Sequence, residues 1–153
     1  GMRSKIGLLG KYPGDLELIN DLLLVMESGH ADFTLVFRRL SQYLRGHSDE
    51  IRQLFDEPDA FDDWARRWRK RLEKDCIAAE TVAQAMDQVN PIYIPRNHKV
   101  EEALTAAVSQ EDMAPFSELL AVLSHPFDEV AGNESYATPA PNSSKPYRTF
   151  CGT

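Results

Sequence analysis

Apolar residues recur along this chain three and four apart, the signature of helices with one buried face. Gly7, Gly10, Pro13 and Gly14 make residues 7–14 a loop, after a lead-in that reads as the end of a helix. Asp15 is placed to cap the helix that follows, where Leu16, Ile19, Leu22, Leu23 and Met26 form a stripe and Gly29 suits the stop. Leu18, Leu24 and Val25 lie off that stripe, so burial on more than one side is expected. Asp32 caps the next helix, whose face is Phe33, Val36, Phe37, Leu40 and Leu44, ending near Gly46.

Ser48 with Asp49 and Glu50 opens a short helix carrying Ile51, Leu54 and Phe55, stopped before Pro58. A longer helix starts at Pro58 or Asp59, with Phe61, Trp64, Ala65, Trp68 and Leu72 in one stripe. Helix resumes through Ile77, Val82 and Met86 and ends at Asn90-Pro91. After an extended or turned stretch between Pro91 and Pro95, residues 100–108 read as a helix by their alanines and by Val100, Leu104, Ala107 and Val108. Residues 114–124 read as another, with Pro115 in its first turn and Phe116, Leu119, Leu120 and Leu123 inward, stopped by His125-Pro126. No useful run alternates in the β manner. The fold predicted is all-α: an irregular bundle of six to eight helices over residues 1–131, and a tail over residues 132–153. Residues 132–146 of it are poor in large apolar residues and read as flexible on composition. We expect it to lie extended on the bundle, held by Tyr136, Tyr147 and Phe150.

At 153 residues the chain is one domain in length, and 42% hydrophobic with 27% charged residues is ordinary for a globular protein. No stretch is long and apolar enough to cross a bilayer, and no export signal opens the chain, so the expectation is cytoplasmic with no membrane partner. A formal charge of −7 argues against a nucleic-acid partner, which needs a basic surface to displace counterions. Cys76 and Cys151 are too few for a disulfide scaffold; Cys76 reads as a buried small hydrophobe.

Candidate chemistry is sparse. Residues 7–11, GLLGK, lack the spacing and the Ser or Thr of a phosphate-binding loop. Asp32-Phe33-Thr34 shares two letters with a kinase metal motif, yet a capping aspartate explains it better. His30, His47, His98 and His125 are scattered without ligand spacing, and paired acids such as Asp62-Asp63 read as solvated helix faces. No catalytic, cofactor-binding or metal-binding residue is assigned. Arg66, Arg67, Arg69, Lys70, Arg71 and Lys74 read as a solvated face opposite the tryptophans, partly paired with Asp62, Asp63 or Glu73; an anion patch is the alternative. Tyr93, Arg96 and Asn97 read as anchors tying down their loop, with ligand contact the alternative. Cys151, a thiol near a terminus, is the redox candidate; Cys76 is its only intramolecular partner, if the Cα atoms approach within about 7 Å.

Several segments together carry a resemblance: MRSKIGL at 2–8, DLELINDLLLVME at 15–27, DFTLVFRRLS at 32–41, NPIYIPRNHKVEEAL at 90–104, FSELLAVLSHPFDE at 116–129, and YRTFCGT at 147–153. The series resembles the C-terminal third of the selenoprotein O (SelO, or YdiU) family of kinase-like proteins, which transfer AMP from ATP to protein hydroxyls. The resemblance implies that ATP and Mg²⁺ or Mn²⁺ bind upstream, in a kinase-like domain that would be this segment's covalently linked partner. The substrate proteins are unknown. It also implies a redox role for Cys151, since the near-terminal position in the family holds Cys or selenocysteine and is thought to pair with a cysteine of the kinase-like domain. On this reading the segment is non-catalytic and supports that domain. The alternative is an autonomous helical interaction module.

Overall fold

The computed structural model describes residues 1–141. Among them are nine helices and no strand: α1 (Met2–Lys5), α2 (Asp15–Ser28), α3 (Phe33–Leu44), α4 (Ser48–Arg52), α5 (Asp59–Glu73), α6 (Ala79–Asp87), α7 (Asn97–Ser109), α8 (Ala114–Leu123) and α9 (Glu134–Ala137). The all-α reading stands, with six helices long enough to dominate the packing.

The main core is built around α5. Its Phe61, Trp64, Ala65 and Trp68 are all fully buried, as their helical spacing predicts. The two indoles stack with centroids 5.3 Å apart, and their N–H groups donate to Leu18 O and Ile6 O, each at 2.8 Å. A buried indole N–H is costly unless bonded, so these two bonds fix α5 against α2 and the end of α1. Gly7 lies under α6, where a Cβ would meet Val82 Cγ1 at 2.5 Å, and its φ of +72° suits glycine on a second count.

Several sequence expectations are corrected. Asp15 is not the cap of α2: Gly14, in the left-handed region, is the N-cap, and the Asp15 carboxylate turns inward to accept from Tyr12 N at 3.0 Å. Leu16 and Leu24 are 66% and 61% exposed, and the buried face of α2 is Leu18, Ile19, Leu22 and Met26. Trp64 draws that face toward α5 by its bond to Leu18 O, about a seventh of a turn from where the apolar count put it. Phe33 and Ile77 are likewise exposed. Cys76 is exposed, in a left-handed turn at φ +53° beyond the end of α5. Leu120 is exposed rather than inward-facing, and Leu104 and Val108 are exposed too; Ala103 and Leu119 are the only buried residues of α7 and α8. Of the supposedly extended tail, residues 134–137 are helical, and Ala137 packs with Ile92 and Tyr93 in a second, smaller cluster. Tyr147, Phe150 and Cys151 lie outside the described residues.

Candidate functional site

The second cluster is where the chain departs from simple helix packing. Residues 126–138 cross the bundle beside α3, held chiefly by side chains from α3 and by side-chain and backbone groups of the loop before α7. Pro126 O accepts from Ile92 N at 2.8 Å and Tyr93 N at 3.2 Å. The Tyr93 hydroxyl donates to Val130 O at 3.3 Å and accepts from Val130 N at 3.0 Å, which satisfies a buried phenol twice. Arg96 donates to Ala137 O at 2.9 Å and forks onto Asp32 at 2.7 and 2.9 Å. Asn97 opens α7 with its side chain exposed.

Asp32 is thus shared: Oδ1 caps α3 by accepting from Leu35 N at 2.9 Å, and both oxygens accept from Arg96. Burial disfavours its charge, but the Arg96 guanidinium and the N–H groups of Leu35 and Thr34 outweigh that and hold the carboxyl below its ordinary range. The capping explanation of Asp32-Phe33-Thr34 therefore holds, with both carboxylate oxygens engaged by Arg96 and the start of α3.

Arg38 and Arg39 complete the arrangement, and neither was singled out from sequence. Arg38, nearly enclosed, donates to Asp87 O, Asn90 O and Phe127 O at 3.0–3.1 Å. Arg39 forks onto Glu129 at 2.8 and 3.0 Å and reaches Glu50 at 3.2 Å; the Glu129 bonds raise its pKa against the cost of burial. A signal was present: Arg38, Ser41 and Arg45 lie at i, i+3, i+7, a polar row along an otherwise apolar helix. All three meet Asp87, for Ser41 and Arg45 bond its carboxylate and Arg38 lies 3.7 Å from it.

Between α3, α4 and residues 129–138 an open cleft of about 670 Å³ remains, lined by Leu35, Gln42, Gln53, Leu54, Ile92 and Thr138 among others. Of its charged groups, Glu50 and Glu129 both bond Arg39, and Glu134 accepts from Gly132 N. The arrangement can hold a segment in place; it aligns no nucleophile with a base.

The other sequence candidates are used structurally. Among the basic run of α5, Arg71 is buried against Asp15 and Asp75, Arg67 bonds Asp21 at 2.7 Å, and Arg66 pairs with Asp63. Arg69 and Lys70 stand exposed. In the glycine-rich loop, Gly10 N donates to the Asp75 carboxylate at 3.4 Å and Gly10 O accepts from Arg71 at 3.1 Å. A phosphate would need that N–H, so this loop does not fit a nucleotide. Among the described residues no three His, Cys, Asp or Glu side chains group as metal ligands, and no helix is long and apolar enough to cross a membrane.

Among the described residues, fold and site together define a helical unit without strands whose charged residues chiefly fasten its own segments. The chain belongs to the SelO family: the family model described as protein adenylyltransferase SelO matches residues 1–124. Among curated relatives, the protein nucleotidyltransferase YdiU of Rhodopseudomonas palustris strain HaA2 is 49% identical over 158 residues, spanning 100% of this chain and 32% of that protein. The YdiU of strain BisB18 is 47% identical over 154 residues, with coverages of 100% and 31%. That of Rhizobium meliloti strain 1021 is 44% identical over 155 residues, with coverages of 100% and 32%. The chain therefore spans about a third of the length of the curated relatives it matches.

Proposed function

We propose that this chain is the helical, non-catalytic C-terminal part of a kinase-like protein AMP-transferase. The observation that carries the reading is the coverage: full-length identity of 44–49% to proteins named nucleotidyltransferases, over less than a third of their length. In the whole protein, AMP would pass from ATP to Ser, Thr or Tyr hydroxyls, with Mg²⁺ or Mn²⁺ neutralising the phosphates. The glycine-rich loop does not fit a phosphate, because its Gly10 amide donates to Asp75, and among the described residues no three His, Cys, Asp or Glu side chains group as metal ligands. No step of the transfer is assigned to them. Their part is to support the kinase-like domain and to carry Cys151, which is proposed as a redox-active thiol acting on that domain.

Two tests follow. The purified chain, incubated with α-labelled ATP, Mg²⁺ or Mn²⁺ and a protein mixture, is expected to leave protein-bound label at the level of the protein-free blank. Robust metal-dependent labelling would place a complete active site within these residues and overturn the reading. Second, Cys151→Ser in the full-length protein is expected to change how its transferase activity responds to oxidant and reductant. If variant and parent respond alike, the thiol has no redox role.

A further inference from the structure

The α7–α8 hairpin has one side packed on the rest of the molecule and one side bare. The helices pack chiefly on each other, joined by residues 110–113, a connection short enough to make them antiparallel neighbours. Ala103 and Leu119, the only buried residue on each, mark the seam. At about 100° per residue, Val100, Leu104 and Val108 lie about 60°, 100° and 140° round α7 from Ala103. Phe116 and Leu120 lie about 60° and 100° round α8 from Leu119, in the same sense. In an antiparallel pair of right-handed helices, equal rotation from the seam leads to the same side. The two rows therefore form one surface.

The opposite rotation provides an internal check. It leads to Lys99 on α7 and Glu118 on α8, and both reach Tyr136: Lys99 Nζ sits 5.6 Å from the ring centroid, and the hydroxyl donates to Glu118 at 3.3 Å. Tyr136 and α9 thus cover one side of the hairpin. On the other, Val108 is 82% exposed, and Leu104 and Leu120 are each about half exposed. Two short helices sharing a seam of one buried residue each bury too little to hold a layer, and a layer needs a second face to pack on.

Resting on the reading above, we infer that this bare side is the surface on which the remaining two-thirds of the family chain packs. Length favours that occupant, since the relatives continue for about twice the length of this chain beyond the part it matches. Charge describes its chemistry. Glu101 lies one turn before Leu104 on α7, and Glu111 and Asp112 stand exposed in the turn. The surface that packs onto this face therefore presents apolar side chains ringed by Lys or Arg.

The test compares this chain alone with the same chain joined to the rest of the Rhodopseudomonas palustris HaA2 relative, in place of the segment it matches. Hydrogen exchange is read on both. Joining is expected to slow the amides of residues 97–123 about tenfold or more, and Leu104→Glu with Val108→Glu to return them to the free-chain rate. The double variant of the free chain should keep its parent's melting point, because both side chains are exposed there. Slowing confined to other surfaces, such as that around Leu16 and Leu24, would overturn this inference and leave the proposed function intact. No slowing anywhere would overturn both. Self-association of the free chain abolished by the double variant would assign the face to a second copy and also overturn the inference.

Discussion

Arg71→Met is expected to lower the unfolding free energy at neutral pH by about 3–5 kcal/mol, the loss typical of breaking a buried ion pair from one side. Arg71 is 7% exposed, and its partners Asp15 and Asp75 have side-chain exposures of 0% and 6%. Its Nε and Nη2 donate to Asp15 at 2.6 and 3.2 Å, Nη2 also to Gly10 O at 3.1 Å, and Nη1 lies 3.1 Å from Asp75. The guanidinium carbon sits 4.3 Å from the Tyr12 ring centroid. Methionine fills much of the volume but leaves two enclosed carboxylates, with only Arg3 at 3.4 Å and backbone N–H groups to face them.

The pH dependence separates this cause from lost packing. The Arg71 hydrogen bond, helped by Tyr12 N–H and opposed by burial, brings the Asp15 pKa from 3.8 down to about 2. A depressed carboxylate pKa contributes stability that is present above the unfolded value and lost as pH falls through the folded one. The parent should therefore lose about 2 kcal/mol as pH drops from about 5 toward 2. Without Arg71, burial favours the protonated acid, so the variant's deficit should shrink over the same range. Urea denaturation at pH 7 and pH 3 measures both. A deficit below about 1 kcal/mol at pH 7, or one equal at the two pH values, would refute the assignment.

This cluster also shows what could be read in advance. Helix positions follow from local spacing, so Trp64 and Trp68, or Val36 and Leu40, were placed correctly by period alone. The role of Asp15 depends on a residue 56 positions away, and local capping statistics cannot register that. Arg71 looked like one more cation in a solvated run because charge counts carry no information on which side of a helix faces a buried acid. For α8 the period was right but the inward face was not, since Leu120 is exposed; on α7 the apolar stripe of Leu104 and Val108 is likewise covered by nothing within residues 1–141. Cys76 is small and apolar enough for a core, yet the end of α5 turns it out to solvent. At the candidate site, Tyr93 and Arg96 stood out through their loop, whereas Arg38 and Arg39 were hidden among the apolar residues of α3.

Arg38→Met is expected to cost about 3 kcal/mol or more, and its consequences should concentrate in one segment. Three carbonyls on two separate stretches, Asp87 and Asn90 at and just past the end of α6 and Phe127 after α8, lose their donor together, the first and last part-buried and Asn90 buried. An acceptor left buried and unbonded costs about 1 kcal/mol or more, and the guanidinium's own packing and charge are lost with it. The Arg38 side chain is only 7% exposed, so water does not readily replace the guanidinium. Arg38→Lys should recover little, because one ammonium cannot span the same three oxygens as a planar fork. Since Phe127 belongs to the segment crossing α3, its loss should free residues 126–138 before the α5 core. Exchange of the Val130 and Thr138 amides should then accelerate far more than that of Trp64 or Trp68. Arg39→Met supplies the contrast. It removes two bonds to Glu129 in the same segment, but those carboxylates are open to solvent, with Glu129 41% and Glu50 55% exposed. Exposed pairs contribute about 1 kcal/mol or less. Equal losses from Arg38→Met and Arg39→Met would mean that ion pairing rather than buried carbonyl satisfaction holds the segment. A larger loss from Arg38→Met, with exchange accelerated first at Val130, would establish Arg38 as the residue that joins the second cluster to the bundle.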